Sequence, residues 1–467
     1  MFSFLPLDYG VSAPRPIDGP IPFRIVGTVP VEDWTGRKDN IAASSIARGT
    51  PIIMRNSVVS RWKALAKWTP EYFRTQVPEW KNISRAKALK RAFINFEPNT
   101  PFEKVTPWDF WENRESREEH PMPMAKWFEL ASNTTDDLRW FFAEEVPQSL
   151  HKDLSPRHQL KLANQTWVYF GVWMGEGGAT TAAHWDMDDN FYVQFYGRKR
   201  FLLFPPSNYK RWKSYPRASP NHKQVQMRVD DPSRYSYRLT PGETLPTAFD
   251  AVLYPGDMLY IPAYWYHHVE AMISPAGTSH GGTTTQTEHL SISANFWSTK
   301  SMPFLMANQA PMPFDSDFDA DEAEVIRSQF PESYPDDKIL QASRLVTLSV
   351  IADELFAKGS VAAIARQVCW LRYRDLFGPA PEMTSICPPR IPASDLKYLQ
   401  KAIKRHTGVI VDGLRDLVRA ASETEFLNIM ELSIEEAVPT ADLYAFLHNC
   451  FEYTLGADPN APTGFEK

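Results

Sequence analysis

The sequence predicts a mainly β chain with helical additions, built on a barrel or a sandwich, and three observations carry that reading. Between about 165 and 300, short period-2 apolar runs are joined by Gly and Pro turns with no helical pattern between them, as in Thr166-Trp-Val-Tyr-Phe-Gly-Val-Trp-Met and Phe191-Tyr-Val-Gln-Phe-Tyr. The composition, 13% aromatic with 39 prolines in 467 residues, suits strands and loops better than a helical bundle. With 43% hydrophobic and 23% charged residues, the chain can bury a sizeable core and is not disordered throughout.

Taken in order, residues 1–160 read as an α/β region leading into and flanking the barrel. It holds a candidate strand at Phe23-Arg-Ile-Val-Gly-Thr-Val and a short buried strand at Thr50-Pro-Ile-Ile-Met-Arg. Trp62, Leu65, Trp68 and Phe73 recur near helical spacing. The basic run Lys81–Arg91 reads as a solvated helix face. Residues 161–300 form the β core, in which Phe191–Tyr196 and Lys199–Phe204 make a hairpin across Gly197-Arg198. Met258-Leu-Tyr-Ile and Leu290-Ser-Ile-Ser-Ala-Asn-Phe-Trp follow as further strands. The loop 207–250 between paired strands is expected to wall an extended groove. Residues 301–337 are an acidic, Pro-containing linker, and 338–467 a helical region. There Leu345, Leu348, Ala352 and Leu355 share a face, and Ser394 is expected to cap a helix carrying Leu396, Leu399 and Ile403.

Charge and cysteine usage exclude several classes. A formal net charge of −6 removes the bulk argument for a dedicated nucleic-acid binder, so nucleic acid is a disfavoured partner. Cys369, Cys387 and Cys450 are odd in number and widely spaced. They suggest neither a disulfide framework nor a thiolate metal site, and fit a reducing compartment, cytoplasmic or nuclear. No apolar stretch approaches the roughly 20 residues of a membrane span, and the amino terminus lacks the pattern of a secretory leader. No Walker loop, dinucleotide fingerprint or GxSxG elbow is present.

A His-x-Asp/Glu pair on a strand turns two metal-ligating side chains to one face. Three occur, His151/Asp153, His184/Asp186 and His268/Glu270, and with 11 His and 56 acidic residues some arise by chance. His151/Asp153 lies in a polar stretch and reads as surface. His184/Asp186 follows the Gly-rich Gly175-Glu-Gly-Gly and precedes the strand at 191, where a barrel mouth is expected. A third ligand is available from His267 or His268 in Trp265-Tyr-His-His-Val-Glu. Two imidazoles and one carboxylate on one face of a metal leave positions for a cosubstrate and dioxygen. A structural polar cluster and a structural metal site are the plainer alternatives.

Three ordered blocks resemble the JmjC-domain 2-oxoglutarate oxygenases. They are Thr181-Ala-Ala-His-Trp-Asp-Met-Asp-Asp-Asn-Phe-Tyr running on to Lys199, Tyr254-Pro-Gly-Asp-Met-Leu-Tyr-Ile-Pro through His267, and Ser293-Ala-Asn-Phe-Trp. Within that family they are most similar to the asparaginyl hydroxylase branch, the type represented by factor inhibiting hypoxia-inducible factor. The resemblance runs from about 45 to 298 and implies a double-stranded β-helix of the jelly-roll, cupin kind. It further implies Fe(II) on His184, Asp186 and His267, and 2-oxoglutarate held by Lys199 and Thr181 at its distal carboxylate, with Asn190 and Asn295 near the metal. Arg198 and Arg200 are expected on the opposite face of their strand. A tyrosine that the branch supplies upstream is replaced here by Trp140-Phe-Phe, so Tyr192 or Tyr169 is expected to provide that hydroxyl.

The implied activity is a dioxygenase using Fe(II), 2-oxoglutarate and dioxygen to hydroxylate a protein or peptide side chain. Three alternatives stand beside it: a lysine demethylase, a tRNA or nucleoside hydroxylase using the basic run 81–91 with Lys210-Arg-Trp-Lys, and a non-catalytic cupin-like binding protein. The helices after 338 are expected to join two copies into a homodimer.

Overall fold

The computed structural model describes residues 23–34, 49–77, 87–90, 92–93, 121–132, 138–154, 165–217, 219, 221–226, 229, 246–272, 289–300, 324, 327–328, 330, 334–417 and 419–465. Fourteen strands are found among them: β1 Arg24–Thr28, β2 Val31–Asp33, β3 Ile52–Arg55, β4 Lys87–Lys90, β5 Ala92–Phe93, β6 Leu138–Glu145, β7 Gln165–Glu176, β8 Thr180–His184, β9 Asp189–Tyr196, β10 Lys199–Phe204, β11 Thr247–Leu253, β12 Met258–Ile261, β13 Tyr266–Ala271 and β14 Leu290–Lys300. They form two sheets, one in the order β1-β11-β10-β13-β8-β5, the other β2-β3-β12-β9-β14-β7-β6-β4. Non-sequential neighbours in both sheets are the mark of a jelly roll, and the double-stranded β-helix expectation is met.

The central strands of the larger sheet, β9 and β14, are buried on both faces, for different reasons. Phe191, Val193 and Phe195 of β9, with Ala294 and Phe296 of β14, turn outward into an apolar cluster with Trp62, Trp68, Phe73 and Trp127. These come from the helices α1 Lys63–Lys67, α2 Pro70–Gln76 and α3 Met124–Ser132 and the turn before α1. Trp68 lies 4.8 Å from Phe195 and Trp62 5.4 Å from Phe296, centroid to centroid. Thr69 starts α2 by accepting the Tyr72 N–H at 3.2 Å, with Pro70 at the first helical position. The other face, Asn190, Tyr192, Gln194, Ser291, Ser293, Asn295 and Trp297, is mostly polar and belongs to the site. Gly197 closes the β9–β10 hairpin at φ +67, and a Cβ there would sit 2.2 Å from the Leu290 carbonyl, so no other residue fits.

Contacts divide the chain into two units. The helical unit takes 209–226 together with the described residues after 323; the described remainder forms the β unit. The helical unit contains α4 Asp336–Leu355, α5 Val361–Val368, α6 Ala393–Ile403, α7 Gly408–Arg415, α8 Arg419–Glu435 and α9 Leu443–Leu455. The shared face of α4 is present, with Leu345, Leu348 and Ala352 buried. Buried Glu423, Glu425 and Glu431 sit on α8.

Several expectations change here. Residues 209–226 group with the helical unit rather than with the strands they connect. Tyr209 donates to Glu423 at 2.8 Å, the Arg217 N–H to Glu431 at 3.2 Å, and the Gln226 amide to the Arg372 carbonyl at 2.9 Å. Residues 230–245 of that loop, and 301–323 of the linker, lie outside the described residues. The described end of the basic run, Lys87–Lys90, is strand β4 paired with β6, not a helix face; sheet pairing overrides the local pattern. Asp153 is not at the surface: it is 1% exposed and receives Lys67 Nζ, Trp68 Nε1 and Tyr72 OH, tying α1 and α2 to the chain before β7. Ser394 lies inside α6, whose start is set by Pro392. Finally, Cys387 and Cys450 form a disulfide, with Cα atoms 5.1 Å apart across 63 residues of sequence, because the fold of the helical unit returns α9 to the segment before α6.

Candidate metal centre

His184 ends β8 and stands directly opposite His267 of β13 in the antiparallel register. Asp186 lies in the link to β9. The ligating atoms of the three fall within 4.8 Å of one another, the imidazole centroids are 4.1 Å apart, and Asp186 Oδ2 is 3.7 Å from His267 Nε2. Each imidazole is fixed by its own strand: His184 Nδ1 is 2.9 Å from the Ala182 carbonyl, and His267 Nδ1 3.1 Å from that of Trp265. A carbonyl only accepts, so Nδ1 carries the proton and Nε2 keeps its lone pair. Burial first, then the neighbouring His184, hold the His267 imidazole well below its usual range and thus neutral.

Lone pairs and a carboxylate converging without a proton between them repel unless a cation sits among them. The donor set therefore fits a divalent metal of the imidazole-and-carboxylate kind. Asp186 Oδ2 is held by the Trp297 indole N–H at 3.1 Å and the Asn190 amide at 3.4 Å, from opposed positions of β14 and β9.

Lys199 begins β10, four positions from Leu203, which faces His267 across the β10–β13 ladder; even spacing puts Lys199 and His267 on one face. The lysine is 4% exposed, and its Nζ donates to Tyr192 OH at 2.6 Å and Ser293 Oγ at 2.9 Å, themselves 2.6 Å apart. Burial pushes its pKa down to about 7 and the Tyr192 hydroxyl well up. Of the two tyrosines expected to replace the upstream hydroxyl, Tyr192 is the one seen on Lys199; the Tyr169 side chain lies outside the described residues.

Thr181 is opposite Val269, on the face of His267, and Asn295 accepts the Trp173 indole N–H at 2.5 Å. Arg200 turns outward to a two-pronged ion pair with Asp250, 2.9 Å at each prong, as alternation requires. The sequence reading missed Ser293 as a partner of Lys199, the two indoles, and Asp189. The alternation of Ser291, Ser293, Asn295 and Trp297 signalled a polar face but not which atom meets which.

The cupin-like domain family matches residues 38–302, more than half of the chain. Among curated proteins, human bifunctional peptidase and (3S)-lysyl hydroxylase JMJD7 is 27% identical over 247 residues, covering 47% of this chain and 73% of that protein. Zebrafish (Danio rerio) lysine-specific demethylase 8 is 28% identical over 131 residues, 28% of this chain and 27% of the relative. Mouse tRNA wybutosine-synthesizing protein 5 is 36% identical over 86 residues, 18% and 25%. The strand order, the His–Asp–His cluster and this match agree, and the chain belongs to the cupin-like domain family.

Proposed function

We propose that the β unit is the catalytic domain of a Fe(II)- and 2-oxoglutarate-dependent dioxygenase that hydroxylates a protein side chain, with the asparaginyl hydroxylase type as its nearest pattern. The observation that carries the reading is Lys199. A buried ammonium whose side-chain partners are two neutral hydroxyls calls for an anion, and it lies on the same face as the His–Asp–His cluster. A dicarboxylate held by the metal at one end and by Lys199, Tyr192, Ser293 and Thr181 at the other answers both needs. His184, Asp186 and His267 would hold Fe(II), with Asn190 and Asn295 beside it. Bound Fe(II) with 2-oxoglutarate supplies oxidation of a C–H bond by dioxygen, giving the alcohol, succinate and carbon dioxide. The protein fixes the ligands, orients the cosubstrate and excludes water. A protein substrate is favoured because relatives are named for lysyl hydroxylation and lysine demethylation.

The test is succinate release by the purified protein with Fe(II), 2-oxoglutarate, ascorbate and a peptide pool. Turnover is expected, with a +16 mass shift in a peptide and none from His184→Ala. A −14 shift would select demethylation instead, and full turnover by His184→Ala would refute the metal assignment.

A further inference from the structure

The turn Pro262–Trp265 touches the metal centre from two sides without contributing a ligand. Its Tyr264 N–H donates to the Asp186 carbonyl at 2.7 Å, and its Trp265 carbonyl receives His267 Nδ1 at 3.1 Å. One turn thus fixes the backbone of the carboxylate ligand and the tautomer of the second imidazole. The turn is strained, because Tyr264 sits at φ +65, a region a bulky aromatic residue rarely adopts, with its ring stacked on Trp185 at 5.4 Å. Something must hold it.

We propose that Asp189 is the positioning residue that holds this turn and, through it, the metal ligands. Asp189 is 1% exposed at the start of β9, and Oδ1 accepts both the Ala263 N–H at 3.1 Å and the Tyr260 hydroxyl at 2.9 Å. It therefore grips the turn one residue before its strained member and pins the turn to β12. Asn190, its neighbour, reaches Asp186 Oδ2, so the first two residues of β9 support the same ligand, one directly and one through the turn. A buried carboxylate in such a place is costly unless its acceptors are used, and here one oxygen takes two donors from the segment leading to His267.

The inference rests on the metal-site reading, and the experiment separates the two. Co(II) affinity of the full chain is measured by titration of its visible d–d absorption, with the fold followed by circular dichroism. Wild type is expected to bind one Co(II); no uptake would overturn the metal site itself. Asp189→Ala, folded, is expected to lose 10- to 100-fold in Co(II) affinity and to change the spectrum, as loss of an outer support does. Asp189→Asn, whose amide oxygen can take both donors, is expected within about threefold of wild type. A purely structural role would lower the melting temperature of Asp189→Ala and leave affinity and spectrum unchanged, and that result overturns the proposal. Should Asp189→Ala fail to fold, Asp189→Ser carries the test, since its short hydroxyl cannot hold both donors. A loss of affinity is expected, and wild-type affinity refutes the proposal equally.

Discussion

Two buried cations, one in each unit, are settled in opposite ways. Arg372 in the helical unit is 4% exposed and pairs with the buried carboxylate of Glu431, while its second nitrogen donates to Asn428 at 2.8 Å. Glu431 also takes Tyr373 OH at 2.7 Å. Lys199 in the β unit is equally buried yet meets only hydroxyls among its side-chain partners. The first is a closed arrangement in which charge meets charge within the chain. The second is left open, and on the function proposed above its desolvation would be offset by a bound anion. Burial of a charge is thus a structural signature or a ligand signature according to what faces it.

The sharpest way to break this contrast is to remove the counter-charge of Arg372. Glu431→Ala strands a buried guanidinium and is expected to destabilise the protein by about 3–5 kcal/mol in denaturant unfolding. 2-Oxoglutarate affinity of the protein that stays folded should not change, and a loss of affinity with stability kept would erase the distinction.

The reciprocal change is Lys199→Met. It removes a cation that the fold does not compensate, so stability should hold or rise, while calorimetric affinity for 2-oxoglutarate falls at least about 100-fold. A melting temperature that drops with affinity intact would place Lys199 in the Arg372 class.

The smallest effect is a pH dependence. The folded pKa of Lys199, about 7, lies below its ordinary value of 10.5, so between these limits the unfolded chain binds more protons than the native one. Ligand-free stability attributable to Lys199 therefore rises with pH from about 7 upward. On the proposed function, 2-oxoglutarate would bind the ammonium form, and its affinity should weaken by up to about tenfold per pH unit above 7. Both trends should vanish in Lys199→Met, so the difference between wild type and variant isolates them.

What could be read from the sequence follows the distance over which information is carried. His184, Asp186, Asn190 and Lys199 lie within sixteen consecutive positions, so one block of resemblance named all four, and alternation paired only His184 with Asp186. His267 required a second block. The choice between Tyr192 and Tyr169 needed the register of β9 against β14, which no local pattern sets. Trp297 on Asp186, Trp173 on Asn295 and Asp189 under the 262–265 turn were illegible for the same reason, since each is a contact across strands distant in sequence. Asp153 read as surface because its neighbours are polar, whereas its burial comes from Trp68 and Tyr72 some eighty residues upstream. The disulfide was missed because spacing along the chain says nothing of helices that fold back. The described end of the basic run, Lys87–Lys90, misled by composition, since exposed helix faces and edge strands share it.

The placement of 209–226 has a consequence for synthesis. A chain still on the ribosome has presented every described strand of both sheets by residue 300, His267 included. The groups that meet Tyr209, Arg217 and Gln226 lie at Arg372, Glu423 and Glu431, and have yet to be made. For the time it takes to add those residues, these three contacts of 209–226 are unmade. A messenger cut short after the last described strand would therefore yield a chain in which Tyr209, Arg217 and Gln226 never meet these partners.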